Sequence, residues 1–500
     1  MKRFFFLLLP LFACLSAAAA GNTQSGIDRQ DGFEIKVRIK NYPDSLGHLL
    51  YLGYYNWSAQ YISDTAVYNP KTHTYLFKGD KAKDGGMYML ITEDRQYVDF
   101  IFDRHQHIEI DVTYPDMFSS ISFKNSPEND IYQAFAEVGK TDFKTVNQLQ
   151  SEYQQAETAA DETRKEALRE QISSVYKKIE QDRIDFALSN PENLMAAIFN
   201  AQREPEIPEA PESIPDSLKR SWQYEYYKNH YFDNFDLCDE RLLRTPLLHQ
   251  RIKSFHEKVL YMQSPDSIKY AWERVIEKAR CADSHSEVFK FLVWYPVDAY
   301  QRSEIIGQDA IWVYLAKKYY LSGDAFWASA SIVENFRKRI ERVEPLLIGN
   351  RPAEFYCPDT TIESAHPNWV SVFSSPKRYS VVIFWSTTCG HCKTAMPLWH
   401  KLYMEEKDRL DFEVFAICKD FDVPVWKKYI REHNLEGWYN LNGKESNLDY
   451  NDAWDIVTTP TVYVLDREKR IVTKKIDPQY LKDFILNWQE THYPHESPLE

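Results

Sequence analysis

One local arrangement constrains the fold of this 500-residue chain more than any other: a continuous apolar run that leads directly into a closely spaced cysteine pair. The run covers residues 381–385, and the pair is Cys389 and Cys392. An uninterrupted apolar stretch is typical of a strand that is buried on both faces of a sheet. The residues after Cys389 suit a helix, and strands and helices alternate from about residue 346. The sequence therefore predicts an α/β domain over residues 346–500.

The position of Cys389 suits a nucleophilic thiol. At the start of a helix, free N–H groups and the helix dipole stabilise an anion, which lowers the pKa of a thiol placed there. Gly390 and His391 complete a Cys-Gly-His-Cys motif, and His391 adds positive charge when it is protonated. We therefore expect Cys389 to attack a substrate disulfide and Cys392 to release the resulting mixed disulfide. The redox-active group is then the Cys389–Cys392 pair itself, with no other cofactor and no metal.

Half of a zinc site is the alternative interpretation of a single Cys-x-x-Cys pair. A structural zinc ion usually needs a second close pair of ligands. The other cysteines beyond the N-terminal segment are isolated in sequence, namely Cys238, Cys281, Cys357 and Cys418. This isolation favours redox chemistry over metal binding. Cys238 and Cys281 either form a structural disulfide or remain separate thiols. Cys357 and Cys418 are predicted to be structural, with a third redox thiol as the alternative for Cys418.

Residues from about 346 to 490 resemble a thioredoxin-fold domain of the TlpA/ResA-like thiol–disulfide oxidoreductases of the bacterial envelope. Trp385 matches the family tryptophan beside the active site, and Pro397 matches the proline that kinks the helix. Thr459 and Pro460 match the cis-proline loop that faces the disulfide, where an ordinary strand-entry proline is the alternative. The resemblance implies protein thiols and disulfides as substrates. It also implies a membrane or periplasmic electron donor.

Two departures from thioredoxin leave parts of the mechanism open. Ile383 occupies the position where thioredoxin has a buried aspartate, six residues before the first cysteine. Glu413 lies on a neighbouring predicted strand, but its orientation cannot be derived from sequence. The Gly-His dipeptide between the cysteines resembles disulfide isomerases more than the Gly-Pro of reducing thioredoxins. Reduction, oxidation and isomerisation therefore all remain open as the direction of the reaction.

The N-terminus has the pattern of an export signal. Lys2 and Arg3 precede an apolar run over residues 4–15, and small residues follow at 17–20. This order predicts a signal peptide over residues 1–20, and hence a location in the periplasm or cell envelope. A transmembrane anchor is less favoured because the run is short for a span. A lipoprotein anchored through Cys14 is also less favoured.

Two further domains are expected before the α/β domain. Short alternating or aromatic-rich runs, separated by turn residues, predict a small antiparallel β-sandwich-like domain over residues 25–125. Residues 126–345 have a helical pattern. An apolar stripe over residues 161–189 predicts a long amphipathic helix, packed in an antiparallel hairpin rather than against a partner. Four prolines in residues 204–216 predict an irregular connector. The expected fold class is thus multidomain: a β-sandwich-like domain, an α-helical domain and an α/β thioredoxin fold.

Charge and missing motifs exclude several classes of function. The formal net charge of −14 disfavours nucleic acid as a partner. The sequence contains no nucleotide-binding glycine loop, no hydrolase elbow and no zinc-protease helix motif. Two alternatives to disulfide exchange remain. A thiol peroxidase shares the fold, although residues 379–388 lack the proline that such enzymes place before their cysteine. A binding module would hold a partner through the two N-terminal domains.

Overall fold

The computed structural model describes residues 32–43, 45–281, 286–359, 368–420 and 422–493. The signal segment predicted over residues 1–20, with Cys14, lies outside these ranges. Contacts divide the chain into two compact units. The first contains residues up to 262 and residues 273–292, and the second contains residues 263–272 and those from 293 onward. Among the described residues, no helix is long and apolar enough to cross a membrane.

The first unit begins with two four-stranded sheets in the orders β4-β1-β7-β8 and β3-β2-β5-β6. The strands are β1 (Phe33–Lys40), β2 (Leu49–Asn56), β3 (Ala59–Val67), β4 (Tyr75–Gly79), β5 (Gly86–Thr92), β6 (Tyr97–Phe102), β7 (His107–Thr113) and β8 (Ser122–Lys124). A short helix, α1 (Met117–Ser120), precedes β8. Both sheets contribute to one core that includes Ile35, Leu52, Phe100 and Ile110. The predicted sandwich is confirmed, but it is not wholly antiparallel, because β1 and β7 pair in parallel.

Helices follow the sandwich in the first unit. They are α2 (Pro127–Thr158), α3 (Glu162–Ser189), α4 (Leu194–Gln202), α5 (Asp216–His230) and α6 (Pro246–Ser254). The expected hairpin forms between α2 and α3, where the ring centroids of Phe135 and Phe186 lie 5.6 Å apart. Lys178 also forms an ion pair with Asp142 at 2.9 Å across this hairpin. The proline-rich connector between α4 and α5 contains no helix or strand.

Two helices are shared between the units, and the next two α-helices along the chain belong to the second unit. The shared helices are α7 (Pro265–Lys278) and α8 (Glu287–Gln301). The others are α9 (Asp309–Leu315) and α10 (Ala330–Val343). Within the second unit, the buried Lys474 side chain donates to the Leu346 carbonyl at 2.6 Å and forms an ion pair with Asp309. This helical segment therefore packs directly on the sheet that follows it in sequence.

A seven-stranded sheet forms the centre of the second unit, in the order β10-β9-β13-β12-β11-β14-β15. Its strands are β9 (Tyr356–Asp359), β10 (Asn368–Ser371), β11 (Tyr379–Trp385), β12 (Phe412–Cys418), β13 (Tyr439–Asn442), β14 (Thr461–Leu465) and β15 (Ile471–Lys474). The helices around it are α11 (Gly390–Glu406), α12 (Val423–Glu432), α13 (Tyr450–Ala453) and α14 (Pro478–His492). Strand β11 lies between β12, which runs parallel to it, and the antiparallel β14.

The apolar run in β11 is explained by burial on both faces. Ile383 packs into a core that also contains Trp399 of α11 and Leu481 of α14. The alternate residue Phe384 packs into the opposite core, with Phe355. All seven residues of β11 are buried. This sheet with helices on its faces confirms the predicted α/β architecture.

Candidate active site

The cysteine motif lies where β11 passes into α11. Strand β11 ends at Trp385, and Cys389 occupies the N-cap position of α11. The backbone N–H of Cys392 donates a hydrogen bond to the Cys389 sulfur at 3.3 Å. The first N–H groups of a helix have no partner within the helix. The sulfur of Cys389 therefore takes the place of the usual capping oxygen, and negative charge on it is stabilised.

A second segment reaches Cys389 from a distant part of the sequence. The Thr459–Pro460 peptide bond is cis, which confirms the prediction for this loop. The Cys389 thiol donates a hydrogen bond to the Thr459 carbonyl oxygen at 3.2 Å. Pro460 directly precedes β14, and β14 pairs with β11. The structure thus brings together four of the predicted site residues: Cys389, Cys392, Thr459 and Pro460.

The two thiols differ in exposure and in acidity. Cys389 is partly exposed, whereas Cys392 is fully buried. Burial acts to raise the pKa of Cys389, but hydrogen bonding with the side chains of Cys392 and Thr459 and with the backbone N–H groups of Cys392 and His391 outweighs it and holds that pKa below the usual thiol value. Burial, together with the hydrogen bond to Cys389, raises the pKa of Cys392 to about 12. The pair therefore combines one thiol that ionises readily with one that stays protonated.

The other predicted site residues occupy different positions around the pair. Trp385 is fully buried, and its ring centroid lies 5.6 Å from that of Tyr429. Trp385 therefore packs in the core beneath the cysteine pair and forms no part of the surface of the site. His391 is exposed, and its backbone N–H is one of the groups that lower the pKa of Cys389. A Cβ atom at Gly390 would contact nothing within 4 Å, so sterics do not require glycine there.

The orientation of Glu413, which the sequence left open, removes it from the site. Its carboxylate accepts a hydrogen bond from the Tyr403 hydroxyl at 2.7 Å. Glu413 lies five residues before Cys418, the residue that pairs with Trp385 at the site end of the sheet. At about 3.3 Å per residue, this separation is roughly 16 Å. Glu413 therefore does not take the place of the buried aspartate that thioredoxin has at the position of Ile383.

A carboxylate that the sequence analysis missed holds the loop between β11 and Cys389. One oxygen of Asp420 accepts a hydrogen bond from the Ser386 hydroxyl at 2.6 Å. The other accepts from the Thr387 backbone N–H at 2.6 Å and from its hydroxyl at 2.5 Å. Burial raises the pKa of Asp420, but these hydrogen bonds reverse the effect and hold the pKa below its usual value.

One signal in the sequence could have identified Asp420. It follows β12 by two residues, and a hydroxyl-rich segment follows the parallel neighbour β11. The carboxyl ends of adjacent parallel strands meet at one edge of a sheet, and this edge is where such folds place their sites.

The remaining free cysteines of the second unit are buried. Cys357 and Cys418 are both inaccessible to solvent. Burial raises the pKa of Cys357 to about 12 and raises the pKa of Cys418 further. A thiol that is buried and protonated is a poor nucleophile, so the structural role predicted for both is favoured. Across the described ranges, no group of three or more His, Cys, Asp or Glu side chains is arranged to hold a metal ion.

An open groove of about 690 Å³ adjoins the cysteine pair. Its walls come from α11, the cis-proline loop and the start of α14. The lining residues are His391, Thr394, Ala395, Leu398, Lys401, Leu402, Glu405, Pro460, Asp477, Pro478 and Gln479. Asp477 occupies the N-cap position of α14, but its side chain makes no capping hydrogen bond. Leu398 is 52% exposed, so an apolar surface is available next to the site.

Three family models match parts of the chain. Residues 377–471 match a model described as thioredoxin-like. Residues 33–132 and 151–326 match two domains of unknown function, DUF4369 and DUF5106. No curated protein matches the chain. The C-terminal domain therefore has a thioredoxin-like fold, preceded by two domains whose functions are not assigned.

Several solved structures are similar to parts of the chain. A domain of a possible thiol-disulfide isomerase from Cytophaga hutchinsonii is 28% identical, covering 29% of this chain and 96% of its own, with a TM-score of 0.27. A thioredoxin-like protein from Bacteroides caccae is 15% identical over 57% of this chain and 99% of its own, with a TM-score of 0.44. A thiol:disulfide interchange protein from a Bacteroides species is 25% identical, covering 30% of this chain and 97% of its own, with a TM-score of 0.25.

Proposed function

We propose that this protein is a thiol–disulfide oxidoreductase that exchanges disulfides with protein substrates through Cys389 and Cys392. One observation carries the proposal: two thiols of opposite character lie at the start of one helix. Cys389 is partly exposed and has a lowered pKa, whereas Cys392 is buried and has a raised pKa. Disulfide exchange needs a thiolate that can attack and a second thiol that acts only afterwards.

The reaction consists of two exchanges. The Cys389 thiolate attacks one sulfur of a substrate disulfide, forms a mixed disulfide, and the other substrate sulfur leaves as a thiolate. Cys392 then loses its proton and attacks the sulfur of Cys389. The Cys389–Cys392 disulfide forms, and the first substrate sulfur leaves as a second thiolate. Two electrons have then passed from the protein to the substrate, and the reverse sequence oxidises a substrate dithiol.

A polypeptide substrate fits the surroundings of the pair better than a small disulfide. The backbone of Thr459 lies against Cys389, and the groove with Leu398 and Pro478 continues from the site. An extended segment can pair with the backbone of Thr459 while an apolar side chain enters the groove. Binding energy gained there orients the substrate sulfur for attack.

Location and electron supply are part of the same proposal. The basic, apolar and small-residue order of residues 1–20 supports export to the periplasm or cell envelope. After each reduction the Cys389–Cys392 disulfide needs two electrons to return to the dithiol. A membrane or periplasmic dithiol donor meets this need.

The test is reduction of insulin disulfides by the full-length protein, with dithiothreitol as the reductant. We expect turnover that Cys389→Ser abolishes, because the attacking sulfur is lost. Cys357→Ser serves as the matched control, because that thiol is buried away from the site and its loss should leave the rate unchanged. A Cys389→Ser variant with the wild-type rate would refute the proposal.

A further inference from the structure

The second cysteine pair of the chain is oxidised and lies in the helical part of the first unit. Cys238 follows α5 and precedes a short 3-10 helix over Glu240–Arg244. It is bonded to Cys281, which follows α7, and the two Cα atoms lie 5.7 Å apart. Of the two possibilities that the sequence left open for these cysteines, the disulfide is therefore the correct one.

This disulfide is accessible, in contrast to the buried thiols Cys357 and Cys418. Cys238 is exposed to solvent, and Cys281 is partly buried. Cys238 also lies in the wall of an open cavity of about 910 Å³, together with Asp236, Asp239 and Lys278. The Cys238 residue is therefore open to approach by a thiol on a polypeptide loop. Exposed disulfides are the readily reduced class, whereas protected structural disulfides resist reduction.

The two sulfurs are not equivalent as targets. Attack on the exposed Cys238 makes Cys281 the leaving group. Cys238 is the more exposed of the two residues, so access favours attack there.

We propose that Cys238–Cys281 is a second, reversible redox couple, which protein dithiols open by attack on Cys238. The first thiolate of the donor bonds to the Cys238 sulfur, the Cys238–Cys281 bond breaks, and Cys281 leaves as a thiolate that takes up a proton. The second thiolate of the donor then displaces Cys238, so the donor becomes a disulfide. Two electrons pass from the donor to the couple. Where the donor is the Cys389–Cys392 dithiol of another copy, the inference rests on the function proposed above.

Two full-length variants each retain only one of the two cysteine pairs, so that one can serve as donor and the other as acceptor. The acceptor carries Cys389→Ser and Cys392→Ser and retains the Cys238–Cys281 disulfide. The donor carries Cys238→Ser and Cys281→Ser and is first reduced. After mixing with excess donor, acid quenching and alkylation, mass spectrometry counts the new thiols of the acceptor. We expect two, at Cys238 and Cys281, appearing at least about 100-fold faster than with a donor that also carries Cys389→Ser.

The order of attack has its own test. A donor that also carries Cys392→Ser cannot complete the second exchange, so the mixed disulfide accumulates. We expect peptide mapping to find Cys389 of the donor joined to Cys238 of the acceptor, with Cys281 free. A cross-link to Cys281 instead would contradict the assignment of Cys238 as the attacked sulfur.

Parallel assays distinguish failure of this inference from failure of the proposed function. A donor that reduces insulin but leaves the acceptor disulfide closed would overturn the inference and leave the function intact. If the donor fails with insulin, reduced glutathione takes its place as the thiol. Opening of the disulfide in the folded acceptor then supports the couple, and opening only after unfolding in urea overturns it.

Discussion

At the residue scale, the difference between Cys389 and Cys392 arises from a separation of three positions at the start of helix α11. Cys389 caps the helix and receives the Cys392 N–H, whereas the Cys392 side chain points into the core. The local sequence was sufficient to predict Cys389 at the start of the helix, because the apolar strand and the helix after it both follow from the pattern; the burial of Cys392 was not predicted. The Asp420 carboxylate, which accepts hydrogen bonds from the loop before Cys389, was not predicted from that pattern.

Asp420 is the residue whose removal should affect this loop most. Asp420→Ala deletes the acceptor for Ser386 and Thr387, so we expect the free energy of unfolding at pH 7 to fall by about 2–3 kcal/mol. Asp420→Asn should lower the free energy of unfolding by less, because its side-chain amide oxygen still accepts a hydrogen bond. The folded-state pKa of this carboxyl is lowered, so its contribution is present at neutral pH and is lost as the pH falls through that pKa.

Urea unfolding at pH 7 and in acid measures these differences. Asp483→Ala, which changes an exposed carboxylate on α14, is the control and should alter stability by less than about 0.5 kcal/mol. If Asp420→Ala lowered the free energy of unfolding as much in acid as at pH 7, the hydrogen-bond explanation would be contradicted.

At the scale of elements, α11 has two functions, because its first turn holds the thiols and its exposed face forms one wall of the groove. Leu398→Glu places a charge on that wall. Burial of a leucine side chain contributes about 1.5–3 kcal/mol, so we expect kcat/KM for insulin reduction to fall by about tenfold or more. Alkylation of Cys389 by iodoacetamide should stay at the wild-type rate, since a small reagent does not use the groove.

Met404→Glu is the matched control for the groove. Met404 is 53% exposed on the same helix, but it does not line the groove. Equal losses of activity in the two variants would indicate that charge on α11, rather than the groove, affects the reaction.

The elements that the sequence failed to predict are those whose partners decide their structure. Strand β3 has many polar residues and is largely exposed, and it forms because its backbone pairs with β2 at a sheet edge. The parallel pairing of β1 with β7 joins segments about 70 residues apart, and alternation of apolar residues carries no information on strand direction. Glu413 was ambiguous for a similar reason, since its distance from the site depends on strand register.

At the scale of the whole molecule, the helical segment before the seven-stranded sheet belongs to the same compact unit as the sheet. The Lys474 side chain is only 9% exposed and is held by Asp309 and the Leu346 carbonyl. Removal of one partner from a buried ion pair is strongly destabilising. Because Asp309 is partly exposed, we expect Asp309→Ala to lower the free energy of unfolding by about 2–3 kcal/mol.

Asp266→Ala is the control for this prediction. Asp266 forms an ion pair with Lys269 in the same unit, but its side chain is 80% exposed. Surface pairs contribute about 0–1 kcal/mol, so urea unfolding should distinguish the two variants. Similar losses in both would show that the buried position of Lys474 has no special effect.

The division of the chain has a consequence for the order of synthesis. The first unit is complete once residue 292 has been made, whereas the second combines residues 263–272 with everything after residue 293. Cys389 is added roughly 100 residues later than Cys281. During its own synthesis, a nascent chain can therefore close the Cys238–Cys281 ring before it contains a working thiol pair. A ring that closes at this stage takes its oxidising equivalents from an older molecule or from another oxidant.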